Sequence, residues 1–240
     1  MTKMISGILF DKDGTLLDFN ATWIPPYTKA AAMIEDFFPG TVSADELLRQ
    51  GGYVAESRSW REEAPLASAS NREIFELWEG IVGASLDVDQ KRAVSSVFAD
   101  ACESYVPAVP DLAGLMGSLQ AQGCVLGIAT MDDEAATYRM VDALGLEGCF
   151  EFMCGADSGL GEKPDPGMVN AFVESCGLVA EQVVMVGDSP RDLFMGKNGG
   201  VGLTIGVLTG AHSREMLEPH ADFVLENIGE IPDIVSAKNR

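Results

Sequence analysis

Four acids, one hydroxyl and one cation stand at spacings that could do chemistry. Asp11 and Asp13 flank a single residue in DKDGTLLD (11–18), Asp188 and Asp192 fall in GDSPRD (187–192), Thr130 closes IAT (128–130), and Lys163 lies in GEKPDPG (161–167). Neighbouring carboxylates can divide labour, one as nucleophile or metal ligand and another as proton donor and acceptor. Singly, each residue has an ordinary explanation: an Asp or Thr after a strand is often a helix N-cap, and a lone loop lysine is usually solvated. The set carries weight only if the fold gathers it.

The elements that must do the gathering are legible in the apolar pattern. An uncharged run over 5–10 leads into Asp11, and from residue 111 onward short apolar runs alternate with helical periodicity. Leu112, Leu115, Met116 and Leu119 share a helix face, and CVLGIAT (124–130) reads as a buried strand. A helix over 132–144, a strand at 150–154, a helix with Val169, Phe172, Val173 and Cys176 inward, and a strand at 183–187 continue the cycle. A helix after Pro190, strands at 201–207 and 223–225 and a last helix complete it. Continuous apolar strands separated by helices predict a parallel sheet covered on both faces. In such a sheet ligands collect beyond the carboxyl ends of the strands, where all six candidate residues fall.

Residues 19–106 break the rhythm and read as helical, with Val94, Val97, Phe98 and Cys102 on one stripe and no convincing buried strand. They are expected to form an inserted domain jointed after Asp18 and at 107–110, where two prolines stiffen the return. APLASAS (64–70) is expected to be a loop inside it.

Composition bounds the possible functions. A chain of 240 residues that is 47% hydrophobic can bury a sizeable core. Sixteen basic against 37 acidic residues give a net charge of −21, which repels nucleic acid and anionic membranes. The same charge repels phosphorylated substrates, so an anion site would have to be local. The apolar run at the N-terminus is broken by Asp11, which fits neither a signal peptide nor a membrane span, and a cytoplasmic location is expected. Five cysteines without a CxxC pair read as reduced core thiols, and two histidines, His212 and His220, leave little for a His-rich metal site or a Ser/His/Asp triad.

A pattern of the form DxDGT[LV] would arise by chance in a chain this long with a probability on the order of a few in ten thousand. Together DKDGTLLD, IAT, GEKPDPG and GDSPRD, each after an expected strand, resemble the motifs of the haloacid dehalogenase-like superfamily of phosphotransferases. The likeness covers the chain outside the insert. The insert's position and the GEKPDPG form resemble the phosphoglycolate phosphatase-like branch. The resemblance implies a Rossmann-like three-layer α/β/α core with a parallel sheet over 1–18 and 107–240, and an all-helical cap domain over 19–106. It also implies Mg²⁺-dependent hydrolysis of a small phosphorylated metabolite, of which 2-phosphoglycolate is the type, through an aspartyl-phosphate.

The residues support such chemistry on their own terms. A phosphate dianion about 4 Å from a carboxylate meets repulsion of roughly 8 kcal/mol at an effective dielectric near 20, about six powers of ten in rate. Cations are therefore obligatory. Lys163 supplies one, and a hard divalent ion held by Asp11 and Asp188 supplies the other. Asp11, closest to its strand, is the natural nucleophile. Asp13 is then free for proton transfer, and the resemblance adds its backbone carbonyl to the metal contacts. Gly14 makes room where the chain wraps the phosphate, with the Lys12 and Asp13 amides as donors. Thr130 adds a hydroxyl, with backbone amides of the following helix behind it. Asp192 can orient Lys163 or a metal-bound water. Where the family often has Asn after the Thr, this chain has Met131 and Asp132, so backbone donation at Met131 is expected in place of a side-chain contact. Arg58 and Arg61, from SRSWREE, are expected to read the substrate beyond the phosphate, and Trp23, Trp60 and Trp78 to fill the cap core.

Four alternatives use overlapping residues. A receiver-like phospho-acceptor domain needs no proton donor two residues after its Asp, and a dehalogenase needs neither metal nor second Asp. A phosphonate hydrolase needs a desolvated cap lysine, for which only Lys29 and Lys91 are at hand. A sugar phosphomutase uses the same residues and differs in what the cap admits. Oligomeric state is not legible in the sequence.

Overall fold

The structure is a computed structural model describing residues 4–61, 64–67, 71–101 and 105–240. Six parallel strands form one sheet: β1 (Gly7–Phe10), β4 (Val125–Ala129), β5 (Phe152–Cys154), β6 (Val183–Gly187), β7 (Leu203–Val207) and β8 (Phe223–Leu225), in the order β5-β4-β1-β6-β7-β8. The chain builds outward from β1 in both directions, so the order reverses beside β1. Such a reversal opens a crevice at the carboxyl ends. Every residue of β1, β6 and β7 is buried, as both-face coverage requires.

The crossovers use the helices α5 (Leu112–Ala121), α6 (Glu134–Ala143), α7 (Gly167–Ser175), α8 (Pro190–Asn198) and α9 (Arg214–Leu217), and α10 (Ile231–Lys238) follows the last strand. On one face, Met168, Val169 and Phe172 of α7 and Met195 of α8 pack with Leu9, Ala129, Cys154, Val183 and Met185. Phe172 explains why β4 carries a glycine. A Cβ on Gly127 would lie 2.8 Å from the Phe172 ring, so the ring reaches the sheet only because that atom is missing. The ring also meets Phe152 at 5.6 Å.

The sheet and its helices form one compact unit, with residues up to Phe19 joined by Val106–Arg240, and Asn20–Tyr105 form a second. The outgoing and returning chain pair with each other: Leu17 bridges Pro107, the Asp18 amide donates to the Val106 carbonyl at 2.9 Å, and the Ala108 amide donates to the Leu16 carbonyl at 2.9 Å.

The second unit contains α1 from Phe19–Phe37 onward, α2 (Ala44–Gln50), α3 (Asn71–Val82) and α4 (Val88–Ala101). It departs from the all-helical expectation in one place, an antiparallel hairpin of β2 (Tyr53–Val54) and β3 (Ser59–Trp60). Two-residue strands leave no alternating pattern to detect, and their pairing rests on the rings of Tyr53 and Trp60, 5.2 Å apart. Aromatic packing dominates this unit. Tyr27 meets Trp23, Trp60 and Phe98 at 5.8, 6.2 and 5.8 Å and donates its hydroxyl to the Leu66 carbonyl at 2.9 Å, while Trp78 is fully buried. Trp78 is thus core of this unit, while Trp23 and Trp60 are half-buried in its aromatic cluster. Val94, Val97 and Phe98 are buried, and Cys102 lies outside the described residues. Of the stretch expected to be a loop, Pro65–Ala67 form a 3₁₀ turn, and 68–70 also fall outside the described residues.

The four described cysteines are free thiols, and burial pushes the Cys154 thiol up to about 12, which keeps it inert. No helix among the described residues is long and apolar enough to cross a membrane.

Replacing Phe172 by Ala empties the space between α7, β4 and β5. The expected loss is about 3–5 kcal/mol of unfolding free energy, measured by urea denaturation.

Candidate active site

Register brings the candidate residues level. Phe10 pairs with Ile128 on one side and Val186 on the other, so Asp11, Ala129 and Gly187 end their strands side by side. Thr130 and Asp188 follow one residue later. The Asp11 amide donates to the Val186 carbonyl at 2.8 Å, which carries the ladder one step beyond the strand and fixes the backbone from which this carboxylate projects.

Lys163 reaches this corner from the loop before α7. Its side chain is 3% exposed, and its Nζ donates to Asp11 Oδ1 and to Asp192 Oδ1, each at 2.6 Å. The loop that delivers it is clamped. Arg191 donates through Nε and Nη2 to the Lys163 carbonyl at 3.0 and 2.7 Å, Asn198 donates to the Pro164 carbonyl at 2.9 Å, and the Lys163–Pro164 peptide is cis.

Asp192 is held by the start of α8. Ser189 is the N-cap: its Oγ accepts from the Asp192 amide at 3.3 Å, while Asp192 Oδ2 accepts from the Ser189 amide at 3.1 Å and from Ser189 Oγ at 2.5 Å. This is a reciprocal capping box with Pro190 at the first helical position. Both oxygens of Asp192 are thus bonded to the protein.

Asp188 sits against two glycines. Gly14 has φ of +83°, and a Cβ there would lie 2.7 Å from Asp188 Cγ and 2.8 Å from the Gly210 Cα. A Cβ on Gly210 would collide with Asp188 Oδ2. The space expected at Gly14 for a phosphate is therefore filled by Asp188 and the chain after β7, and Thr209 Oγ1 donates to the Gly14 carbonyl at 2.7 Å. Asp188 Oδ2 also accepts from the Ala211 amide at 3.2 Å.

Ligand oxygens of Asp11, Asp188 and Asp192, all buried, lie within 4.8 Å of one another, and the group could hold a metal ion. Lys163 places its ammonium between two of them, and the His212 ring stands beside the third, Asp188. Burial pushes the Asp11 carboxyl well above the usual carboxylate range; Lys163 pulls it back, and Asp192, Asp188 and Asp13 push it further up. Burial also raises Asp188, against the pull of His212 and the Ala211 amide. For Lys163, burial favours the neutral amine, but Asp11 and Asp192 outweigh it and its pKa is raised.

Asp13 is not part of that group. Its carboxylate pairs with Lys12, whose Nζ lies 2.8 Å from Asp13 Oδ2 and 2.8 Å from Asp132 Oδ2. The side chain of Asp13, expected to serve in proton transfer, stands in an ion pair with Lys12. Lys12, expected to contribute through its backbone, also carries a fully buried side chain, while the Leu16 and Leu17 amides donate to its carbonyl at 3.0 and 3.1 Å.

Thr130 is 1% exposed, and its Oγ1 accepts from the Asp132 amide at 3.1 Å. Met131 is half-buried against the core. The amides at the start of α6, expected to face an anion, are engaged within the protein. Asp132 Oδ1 accepts from the Asp133 amide and Asp157 Oδ1 from the Glu134 amide, both at 2.8 Å. Asp132 does so from within its own loop, and Asp157 from the turn after β5.

Arg58 and Arg61 belong to the second unit. Arg58 is exposed at the hairpin turn with φ of +51°, and the Arg61 guanidinium donates to the Arg49 carbonyl.

Sequence reading missed several participants. Ser189 was detectable, because Ser-x-x-Asp before a helix signals a capping box. His212 follows β7 at the same end of the sheet; its ring is half-buried, with Nδ1 3.7 Å from Asp188 Oδ2, an ion-pair distance rather than a hydrogen bond. Burial opposes its protonation, but Asp188 prevails and its pKa is raised. The clamp by Arg191 has no signal in sequence, since it depends on the path of a loop 28 residues away.

Comparison with known proteins agrees with this geometry. A phosphoglycolate phosphatase of Vibrio cholerae is 27% identical over 241 residues, covering 97% of this chain and 98% of that protein. The pyrophosphatase PpaX of Bacillus velezensis is 26% identical over 241 residues, covering 98% of this chain and 99% of its own. Among solved structures, a predicted phosphoglycolate phosphatase from Haemophilus somnus superposes with a TM-score of 0.69 at 20% identity, over 96% of this chain and 97% of that one. The profile of haloacid dehalogenase-like hydrolases matches residues 5–200. With its motifs, parallel sheet and buried acids in agreement, the chain belongs to the haloacid dehalogenase-like hydrolase family.

Proposed function

We propose that this chain is a Mg²⁺-dependent phosphatase that hydrolyses a small phosphorylated metabolite through a phosphorylated Asp11. The observation that carries this reading is the charge imbalance of the buried group, three carboxylates against the single ammonium of Lys163. A divalent cation would balance it, and the all-oxygen donor set suits a hard ion. Both oxygens of Asp192 are already bonded to the protein, so Asp11 and Asp188, with the Asp13 carbonyl, are the ligands we assign. When bound, Mg²⁺ supplies positive charge against the phosphoryl oxygens and the incoming carboxylate.

The protein groups divide the remaining work. Lys163 pins Asp11 and offsets charge on the transferring group. Asp11 attacks phosphorus as the bond to the ester oxygen breaks, and the Asp13 carboxyl gives its proton to that oxygen. Asp13, now a carboxylate, takes a proton from the water that attacks the aspartyl-phosphate, releasing inorganic phosphate and restoring both acids. Asp192 keeps Lys163 in place, and Thr130 and the Lys12 and Asp13 amides line the phosphoryl site. The insert is assigned the recognition of the rest of the substrate. With the Arg61 guanidinium spent on the Arg49 carbonyl, Arg58 is the stronger reader of the two.

The relatives support two substrate classes. Phosphoglycolate is our first assignment, from the Vibrio protein, and inorganic pyrophosphate is the second, from the Bacillus protein.

Three outcomes are expected. Phosphate release from an aryl phosphate should vanish with EDTA and return with Mg²⁺, and Asp11→Asn should lower kcat by at least about 10³-fold; turnover in that variant rejects the mechanism. Across a panel of phosphate esters and pyrophosphate, kcat/KM should be highest for 2-phosphoglycolate, and a tenfold advantage of pyrophosphate selects the second class. Arg58→Ala should lower kcat/KM for the preferred substrate by about tenfold more than for an aryl phosphate, whereas equal losses assign Arg58 to the fold of the insert.

A further inference from the structure

The side chain of Lys12 is completely buried, a costly place for a lone charge. Its ammonium touches two carboxylates at the same distance, Asp13 Oδ2 and Asp132 Oδ2, both 2.8 Å. They sit on different loops, one after β1 and one after β4. An ammonium has three donors and no preference between equivalent acceptors, so where it rests depends on how firmly each acceptor is held.

Asp132 is held firmly. Its amide donates to Thr130 Oγ1 at 3.1 Å, its carbonyl accepts from the Ala156 amide at 3.0 Å, and its Oδ1 accepts from the Asp133 amide at 2.8 Å, leaving Oδ2 to face Lys12. Three bonds therefore fix the carboxylate that fixes Lys12.

From this chain of contacts we infer that Asp132 is a positioning residue for the reaction: it anchors the Lys12 ammonium, and through it sets the orientation of the Asp13 carboxyl toward the leaving-group oxygen. The inference rests on the phosphatase reading, in which Asp13 gives that oxygen its proton as the P–O bond breaks. Asp132 itself touches no reacting atom. It also accounts for the acid at the second position after Thr130. Without Asp132 the buried ammonium loses its carboxylate on the β4 side, and the pull of the pair with Asp13 is no longer balanced from there.

Leaving groups separate this role from a structural one. An alkoxide needs its proton in the transition state, whereas a nitrophenolate departs with little help. The ratio of kcat/KM for an alkyl phosphate to that for p-nitrophenyl phosphate therefore reads the alignment of Asp13, because kcat/KM reports the steps through P–O cleavage. In Asp132→Ala that ratio is expected to fall by about tenfold, part of the 10²- to 10⁴-fold available from a proton donor. Asp132→Asn, which keeps an oxygen for the Lys12 ammonium, is expected to hold the ratio within about threefold of the original. In an Asp13→Asn background, the Asp132→Ala change is expected to leave the ratio where Asp13→Asn alone puts it.

Equal losses on both esters in Asp132→Ala, or an unchanged ratio, overturn the inference, as does an undiminished effect in the Asp13→Asn background. Should Asp132→Ala fail to fold by circular dichroism, the ratio in Asp132→Asn decides: a fall of tenfold or more shows that the retained oxygen does not act as claimed. Turnover that survives Asp11→Asn rejects the phosphatase reading itself. Turnover that depends on Asp11 with no change in the ratio rejects only the role of Asp132.

Discussion

One ammonium shared between two buried carboxylates is the interaction on which the rest of this structure turns. Lys163 holds Asp11 and Asp192 at 2.6 Å each, with Asp188 beside them and little water to screen any of the charges. Such an arrangement does not relieve itself. Removing the lysine would leave carboxylates repelling one another in a low-dielectric corner, and removing one acid would still leave the group negative. The group is therefore placed where added positive charge would be welcome, which is what the proposed phosphatase chemistry asks of it.

Much of the surrounding structure serves to stop these charges from moving apart. Parallel register sets the three strand ends level, and the ladder continues through the Asp11 amide. The capping box of α8 ties Asp192 to Ser189 with bonds that a helix start needs in any case. Arg191 and Asn198 hold the loop of Lys163 by its carbonyls, so a cation is placed by its backbone as much as by its charge. Gly14 and Gly210 let Asp188 approach more closely than any other residue would allow. Each device fixes one member of the group using contacts that lie outside it.

The parallel sheet, its strand sequence and the level ends that gather Asp11, Thr130, Lys163 and Asp188 were legible because hydrophobic runs and helical periodicity are local signals. So was the insertion of a separate helical unit. The hairpin at Tyr53–Trp60 was not, because four residues and one ring pair carry too little pattern. The amides at the start of α6 were misjudged for a different reason. Their availability depends on Asp132 and Asp157 turning toward them, which sequence position alone does not determine. The same holds for Lys12: sequence suggests a backbone amide donor between two acids, and only the fold shows its side chain bridging Asp13 to another loop.

The place where the chain leaves the sheet unit and returns is itself a short paired stem, with Leu17 bridged to Pro107 and the neighbouring amides bonded across it. Everything from Asn20 to Tyr105 is thus spliced into a single seam, and the seam is closed before the insert begins. Closing it costs the core entropy that grows only slowly with the length of the segment, about 0.6 kcal/mol for each doubling. The intervening segment can therefore change in length or content while the strand register and the acid cluster stay as they are.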